Sequence, residues 1–534
     1  MKFLASVKVR LFLICWIVYS TFFATNVVRE HYPAFALIDR GDWVCDRYAG
    51  MHWDLFRHTD GHVYTGNNVM GSLIAVPPLL VFDPLLDRLE QHSLAKLAEA
   101  RAAGRQIEAT YDTRYPLRQK MFRQVKEAGL DLRFGASTAI TSAFLMAPLC
   151  AGLVVLMYAT LRARSVARER AVWLAFLFAF ATPVFYRSAH LNHNVFLMVA
   201  LFGAFLLLWP KPGEREPLSI ARRAWAGFLC GMALSLDYAG VVPAGMLALY
   251  FVVSRARRAG LACALREALP CVLAALPPLV FLLGTQWAMY GDAFTPGQFV
   301  MPKQNEYVDI GTRGIALPSP EIFLKNLLSP SWGLVPFAPL LVFAFIGAGG
   351  TREEQRVLPR RERVWVWLLA ASFAAFCAMN VYSLLQFNTG FRYLLPLVPL
   401  LFLLAADPLA RLERRWLAAL SCAVVFHAVV LSMTRHVSDT ENDLRKAAVQ
   451  LGVEACELEG YWTLMLSETP VPQSFVRLCN EGPQLPWLTV LRQTSPHVTW
   501  LGNPLLPAGV LFAVGALCVL LWRLGSRAER AGGA

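Results

Sequence analysis

The sequence predicts an all-α polytopic membrane protein. Of its 534 residues, 56% are hydrophobic and only 16% charged, and the mean hydropathy is +0.45. Apolar runs long enough for the ~30 Å hydrocarbon core recur along the chain. The net charge of +13 is not a nucleic-acid signature, because most of the basic residues fall in short loops between those runs. Eleven cysteines are scattered, mostly inside apolar runs. No CxxC or Cys/His spacing occurs, so no metal site and no cofactor are predicted, and nothing in the spacing supports a divalent cation.

The first span is Val7 to Ala24, with Lys2, Lys8 and Arg10 at its start. No small-residue cleavage site follows, so it reads as an uncleaved signal anchor with a cytoplasmic N-terminus. Residues 26–72 then concentrate Glu30, Asp39, Asp42, Asp46, Asp54 and Asp60 with four histidines and four arginines. Ionisable groups cost ~2.5–3.5 kcal/mol each at the bilayer centre, so such a cluster belongs at the membrane–water boundary. There it is either a solvated linker or a place for acid–base chemistry.

The next apolar run, Met70 to Leu86, contains Pro77-Pro78 and Asp83-Pro84, which interrupt a regular helix. It reads as a juxtamembrane or half-inserted helix on the outer side. On that reading the remaining spans are approximately 135–161, 171–187, 195–210, 225–238, 241–253, 267–290, 331–349, 364–384, 393–410, 416–433 and 504–522, twelve with the first. The short inner loops and N-terminus then hold 26 of the 50 Lys and Arg; the longer outer segments, residues 87–133 aside, hold 14. Were Met70–Leu86 to cross, every basic loop would flip outward, against the positive-inside rule. Residues 87–133 carry ten basic and seven acidic residues and read as a helical hairpin along the outer face.

The chain thus divides into a transmembrane domain over 1–433, an outer loop or small subdomain over 434–503, and a last span with cytoplasmic tail over 504–534. Cys456 and Cys479 share the outer segment and are expected to form a disulfide in an oxidising compartment. Further polar groups gather at outer helix ends: Arg187, His190, Asn192, His193 and Asn194 in YRSAHLNHN, then Asp237 beside Tyr238. The forty-residue loop 291–330 carries Arg313 and has the length of a binding loop or lid. Arg392 beside Tyr393 is either a headgroup anchor or a ligand contact.

Two stretches carry a resemblance. EHYPAFAL with Gly41-Asp42-Trp43, and Gly61-His62-Val63-Tyr64 followed by Asn67-Asn68-Val69-Met70-Gly71-Ser72-Leu73, resemble the first outer loop of GT-C glycosyltransferases. These polytopic enzymes take sugars from polyprenyl-phosphate donors; protein O-mannosyltransferases and the lipid A aminoarabinose transferase are examples. The likeness covers about the first 200 residues in pattern and the rest in hydropathy. Glu30 matches the second acid of the family's Asp-Glu pair, with Arg29 where the first would stand. Asn67 and Gly71 match its later motif, while Asn68 replaces the usual lysine and Val69-Met70 the prolines. Arg187–Asn194 falls where the family often has an acid.

What the resemblance implies is a GT-C-like bundle that transfers a sugar on the outer face of an inner (plasma) membrane. The partners would be a polyprenyl-phosphate-sugar donor, membrane lipids and a glycan, lipid or protein acceptor. Such transfer needs a base for the acceptor proton, for which Glu30 is placed best, followed by Asp39, Asp42 and Asp46. The growing charge on the lipid phosphate needs cationic donors, for which Arg187, His190, His193, Arg313 and Arg392 are the candidates. Arg29, Tyr64, Asn67, Asn68, Asn192 and Asp237 complete the expected substrate contacts. A lipid-linked sugar flippase would instead carry ionisable residues deep in several helices and an internal repeat. A noncatalytic scaffold would not call for an acid-rich first loop.

Overall fold

The computed structural model describes residues 2–25, 27–52, 54–107, 116–212, 214, 217–302, 310–330, 332–346, 356–381, 392–434, 475, 478–479, 482–495 and 497–532. Helices dominate. The first, α1 (Val7–Thr21), follows Ser6, carries Lys8 and Arg10 in its first turn and is uncharged beyond them; α2 (His31–Arg40) ends at Gly41 in the left-handed conformation, φ +75°. A small antiparallel hairpin follows, Leu55–Arg57 against Val63–Thr65, with Phe56 opposite Tyr64. Its turn closes on Gly61 at φ +90°, which favours glycine.

The run at 70–86 divides as its prolines dictate. Helix α3 (Met70–Val81) stops at Phe82 and α4 (Asp83–Ala102), with Pro84 in its first turn, leaves at 80°. Twelve residues make ~18 Å of helix, short of the hydrocarbon core. Helix α5 (Pro116–Glu127) leads back toward α4, and Ser93 donates to Asp131 at 2.7 Å. Helices α6 (Asp131–Thr141) and α7 (Ala147–Ala163) are joined through a π-helical turn at Ser142–Met146 into one 33-residue helix. Pro148 cannot donate to the turn before it, and the π turn absorbs that lost bond.

Next come α8 (Arg168–Phe180), the single-turn α9 (Pro183–Arg187), α10 (His193–Leu208), α11 (Ile220–Leu236), α12 (Val241–Ala259) and α13 (Leu261–Tyr290). Helix α10 is the enclosed centre of the bundle, lying against α11, α12 and α3. Helices α11 and α13 approach closely because Gly227 and Gly231, four apart, face the backbones of Cys271 and Ala275 where a Cβ would collide. The outer faces of α13, at Val272, Leu273 and Val280, are more than half exposed, as a lipid-facing helix requires.

After α14 (Gly297–Val300) and α15 (Pro320–Leu328), the span expected at 331–349 is not one helix. It is α16 (Leu334–Phe337) followed by a 3-10 stretch at Pro339–Ala344, because Pro336 and Pro339 remove donors in the middle of the run. Then α17 (Arg360–Cys377), α18 (Val398–Arg411), α19 (Arg414–Thr434), α20 (Pro486–Thr494) and α21 (Leu506–Gly532) complete the chain. Among the described residues five helices are long and apolar enough to cross a membrane: Asp131–Ala163, Tyr238–Ala259, Leu261–Tyr290, Arg414–Met433 and Leu506–Ala531. Counting the bent α3–α4 pair as one span makes six. The other expected spans fall on α1, on α8 with α9, on α10, α11, α17 and α18, and on the interrupted stretch at 334–344.

The first and last helices are tied together. Arg10, 1% exposed, donates to Ser526 and Glu529 at 2.6 Å each and lies over the Trp522 ring; Arg168 also pairs with Glu529. Cys479 is a free, exposed thiol, and its expected partner Cys456 lies outside the described residues.

Candidate functional site

Three chain segments deliver one polar cluster. Arg29 and Glu30 form the turn after the first span, just before α2. His193 is the first residue of α10, held there because the Asn192 side chain caps the helix by accepting from the Asn194 amide at 2.9 Å. Asp237 ends α11 in extended backbone; one of its oxygens caps the Ala239 amide at 2.9 Å, which leaves the other free to turn inward.

His193 joins the two acids. Its Nδ1 lies 2.6 Å from Glu30 Oε1 and its Nε2 3.3 Å from Asp237 Oδ2. Glu30 and His193 are 7% and 6% exposed. Arg29 holds the assembly from the side: Nε is 3.4 Å from Glu30, Nη1 is 3.2 Å from Asp54, and Nη2 reaches the His193 ring at 3.4 Å. The start of α3 closes the cluster at Gly71, where a Cβ would stand 3.3 Å from His193 Cβ and 3.4 Å from Glu30 Cγ. Asn194, 1% exposed, places its amide nitrogen 3.0 Å from His193 Nε2, and its carbonyl oxygen is buried without a hydrogen-bond partner.

The electrostatics follow from this packing. Burial pushes the Glu30 carboxyl up, but the Arg29 charge and the His193 hydrogen bond outweigh it and hold it well below the usual carboxylate range. Asp54 behaves likewise: burial raises it, and Arg29, His52 and Arg392 bring it down. For His52, burial favours the neutral ring, and the charges of Arg29 and Arg392 reinforce it against the pull of Asp54. Arg187, buried at the end of α9, also feels the like charge of Arg392. Arg392 itself stacks over Tyr393 and donates to its hydroxyl at 3.3 Å. Residues from positions 29 to 393 thus meet at one end of the bundle, with guanidinium, carboxylate and imidazole groups together.

The other expected site residues lie elsewhere or play scaffold parts. Asp39 accepts from Arg133 at 2.8 Å and from the Tyr48 hydroxyl at 2.9 Å. Arg133, 1% exposed, also meets Asp83, Asp87 and Glu90. Asp42 caps the Val44 amide at 3.0 Å and pairs with Arg40. Asp46 accepts from the Val63 amide at 2.7 Å and pairs with His62, pinning the hairpin. Tyr64 donates to Asp60 and lies edge-on to Tyr290, Asn67 is half-buried before α3, and Asn68 reaches the Leu234 carbonyl at 3.5 Å. His190 stands half-buried in the loop before α10. Arg313, at φ +52°, donates to the carbonyls of Met301 and Phe299 and so ties its own loop.

Reading the sequence for site residues missed the parts of Asp54, His52 and Asn194. Asp54 is 25 positions from the arginine it pairs with, and local spacing has no signal for that. Among the described residues no three His, Cys, Asp or Glu side chains form a metal-binding group. Compared with protein-family models, with curated proteins and with solved structures, the chain finds no match in any of the three.

Proposed function

We propose that the chain is a GT-C-like glycosyltransferase that moves a sugar from a polyprenyl-phosphate donor to an acceptor hydroxyl or amine at the outer membrane–water boundary. The observation that carries this reading is His193 held between Glu30 and Asp237 with Arg29 against its ring. Glu30 alone is a weak base, because the Arg29 charge and the His193 hydrogen bond keep it anionic. His193 at 2.6 Å gives the acceptor's proton a destination beyond Glu30, and Asp237 steadies the resulting imidazolium on its far side. As the acceptor atom bonds to the sugar's anomeric carbon, the bond from that carbon to the phosphate oxygen breaks and the lipid phosphate leaves as an anion. Arg187 and Arg392 repel each other, and a phosphate between them relieves that repulsion while stabilising the leaving group.

In this reading the chain crosses an inner membrane twelve times, with both termini cytoplasmic and the polar cluster outside. The interrupted stretch 332–346 is one of the crossings; Leu334, Phe337, Ala338, Leu340 and Leu341 are buried against neighbours, while Val342, Phe345 and Ile346 face outward. The test is transfer in proteoliposomes. Purified protein should move label from a radiolabelled polyprenyl-phosphate sugar to an acceptor glycan, lipid or peptide, and should ignore water-soluble nucleotide sugars. No transfer from any lipid-phosphate sugar across an acceptor panel overturns the reading.

A further inference from the structure

One ring nitrogen of His193 faces two groups that make opposite demands. The Asn194 amide nitrogen lies 3.0 Å from Nε2, and Asp237 Oδ2 lies 3.3 Å from the same atom. A carboxamide N–H bonds only to a bare nitrogen, whereas a carboxylate bonds only to one that carries hydrogen. The other ring nitrogen decides which demand is met first. Nδ1 stands 2.6 Å from Glu30, which stays anionic in spite of burial because of Arg29 and this same hydrogen bond. So short a contact with a carboxylate puts the ring's hydrogen on Nδ1. An uncharged ring then leaves Nε2 bare, and Asn194 has a hydrogen to offer there. Arg29 Nη2 is 3.4 Å from both ring nitrogens and so prefers neither.

The far end of the same side chain is unused. Asn194 is 1% exposed, its backbone is fixed by the Asn192 cap, and its Oδ1 is buried with no hydrogen-bond partner. When the ring gains a second hydrogen, Nε2–H bonds to Asp237 and the amide N–H loses its acceptor. Half a turn of the carboxamide brings Oδ1 to the place that Nδ2 leaves, and the two ends are of nearly equal size. We propose that Asn194 is a positioning residue: it fixes the hydrogen of uncharged His193 on Nδ1 and follows the ring's charge by turning its carboxamide. Among the described residues, the charged groups against the ring are Glu30 and Arg29 before α2, with Asp54 behind Arg29, and Asp237 at the end of α11; α3 presents Gly71. The use of this arrangement in catalysis rests on the transfer reading, in which an uncharged ring with one bare nitrogen is what takes up a proton.

Protein with nitrogen-15 in its histidine rings, purified in detergent without donor or acceptor, is followed by nitrogen NMR from alkaline to mildly acid pH. The His193 signals are those lost in His193→Gln. At the alkaline end Nδ1 should be protonated and Nε2 bare, and acid should protonate Nε2 while leaving Nδ1 as it was. Asn194→Leu keeps the bulk and removes the amide; it should hold the second hydrogen down to about tenfold lower proton concentration than the wild type, the worth of one hydrogen bond. Asn194→Asp, which can only accept, should hold it further still. The wild-type spectrum is decisive without either variant: hydrogen on Nε2 with Nδ1 bare, or both nitrogens protonated at every pH at which the protein stays folded, overturns the proposal. Wild-type titration in both Asn194 variants overturns it as well. No sugar is present, so these outcomes stand apart from the transfer assay, whose failure would remove the catalytic reading and leave the Asn194 assignment standing.

Discussion

Two acidic clusters, each taking a residue or more from the outer loop 26–72, are built around different partners. Asp39, Asp83, Asp87 and Glu90, two of which also pair with Arg47, surround one buried cation, Arg133. Both of its Nη atoms make two contacts, and α2, α4 and α6 are joined through them. Around His193, Glu30 and Asp54 pair with Arg29, Arg392 lies within electrostatic reach of Asp54, and the central group is an imidazole held between Glu30 and Asp237. An acid-rich sequence is compatible with either arrangement. What separates them is the partner: an arginine, which never gives up its proton, makes a fixed joint, whereas an imidazole between two carboxylates makes a path for a proton.

The largest expected effect follows from that distinction. Glu30→Gln or His193→Ala should lower sugar transfer by ~10²–10⁴-fold, the range of a lost general base, with the melting temperature little changed. Asp39→Asn and Asp46→Asn should keep near wild-type turnover. If Glu30→Gln transfers at the wild-type rate while Asp46→Asn is dead, the chemistry belongs to the hairpin side of the loop and the roles of the two clusters are exchanged.

Arg133→Met should act on stability instead. Asp83 and Asp87 would lose their contact with Arg133 while Asp39 and Glu90 keep Arg47, and breaking a buried ion pair costs ~3–5 kcal/mol. The lower end is expected because Asp87 is 52% exposed. Denaturant unfolding in detergent measures the change, and an unaltered midpoint would show that water compensates the acids without the arginine.

A smaller effect is expected at Gly71. The added Cβ of Gly71→Ala meets both His193 and Glu30 at 3.3 and 3.4 Å, so the pair must give by a few tenths of an ångström. Turnover should fall about tenfold through misalignment with the fold intact. Unchanged turnover would mean that the 2.6 Å contact tolerates displacement and is not part of the proton path.

The smallest is a pH dependence. His31 is buried, so its folded pKa drops from 6.5 to about 4; its Nδ1 takes a hydrogen bond from the Val28 amide and its Nε2 lies 3.1 Å from Thr141 Oγ1. Below pH 6.5 the unfolded chain binds the proton first, so stability present above that pH is lost progressively as pH falls toward 4. His31→Gln should flatten the melting-temperature profile in that window. A profile identical to that of the wild type would assign the acid sensitivity to other groups.

Position along the chain made part of the site legible. Glu30, His193 and Asp237 each sit where an apolar run ends, and a run's end fixes a residue's depth in the membrane before any packing is known. The bend between α3 and α4 was legible for a similar reason, since Asp83-Pro84 opens a new helix. Pairings across the bundle were not. Arg133 finds Asp39 from 94 positions away, and Arg29 finds Asp54 only because the chain at Tyr48–His52 returns past Tyr32 of α2. Hydropathy also misled at 331–349, because it weighs apolar content and is blind to Pro336 and Pro339, which break the run into a turn of α-helix and a 3-10 stretch.

The Arg10 contact with Ser526 and Glu529 constrains the molecule in a further way. It places the beginning of the chain beside its end, with α1 leading away from the point at which α21 arrives. If both helices cross, as the proposed topology has it, the two ends lie on one side and the number of crossings is even. Parity then acts as a selection rule on every helix assignment. Taking α3–α4 as a crossing demands a second crossing to balance it, and losing the interrupted stretch 332–346 demands that another be lost with it.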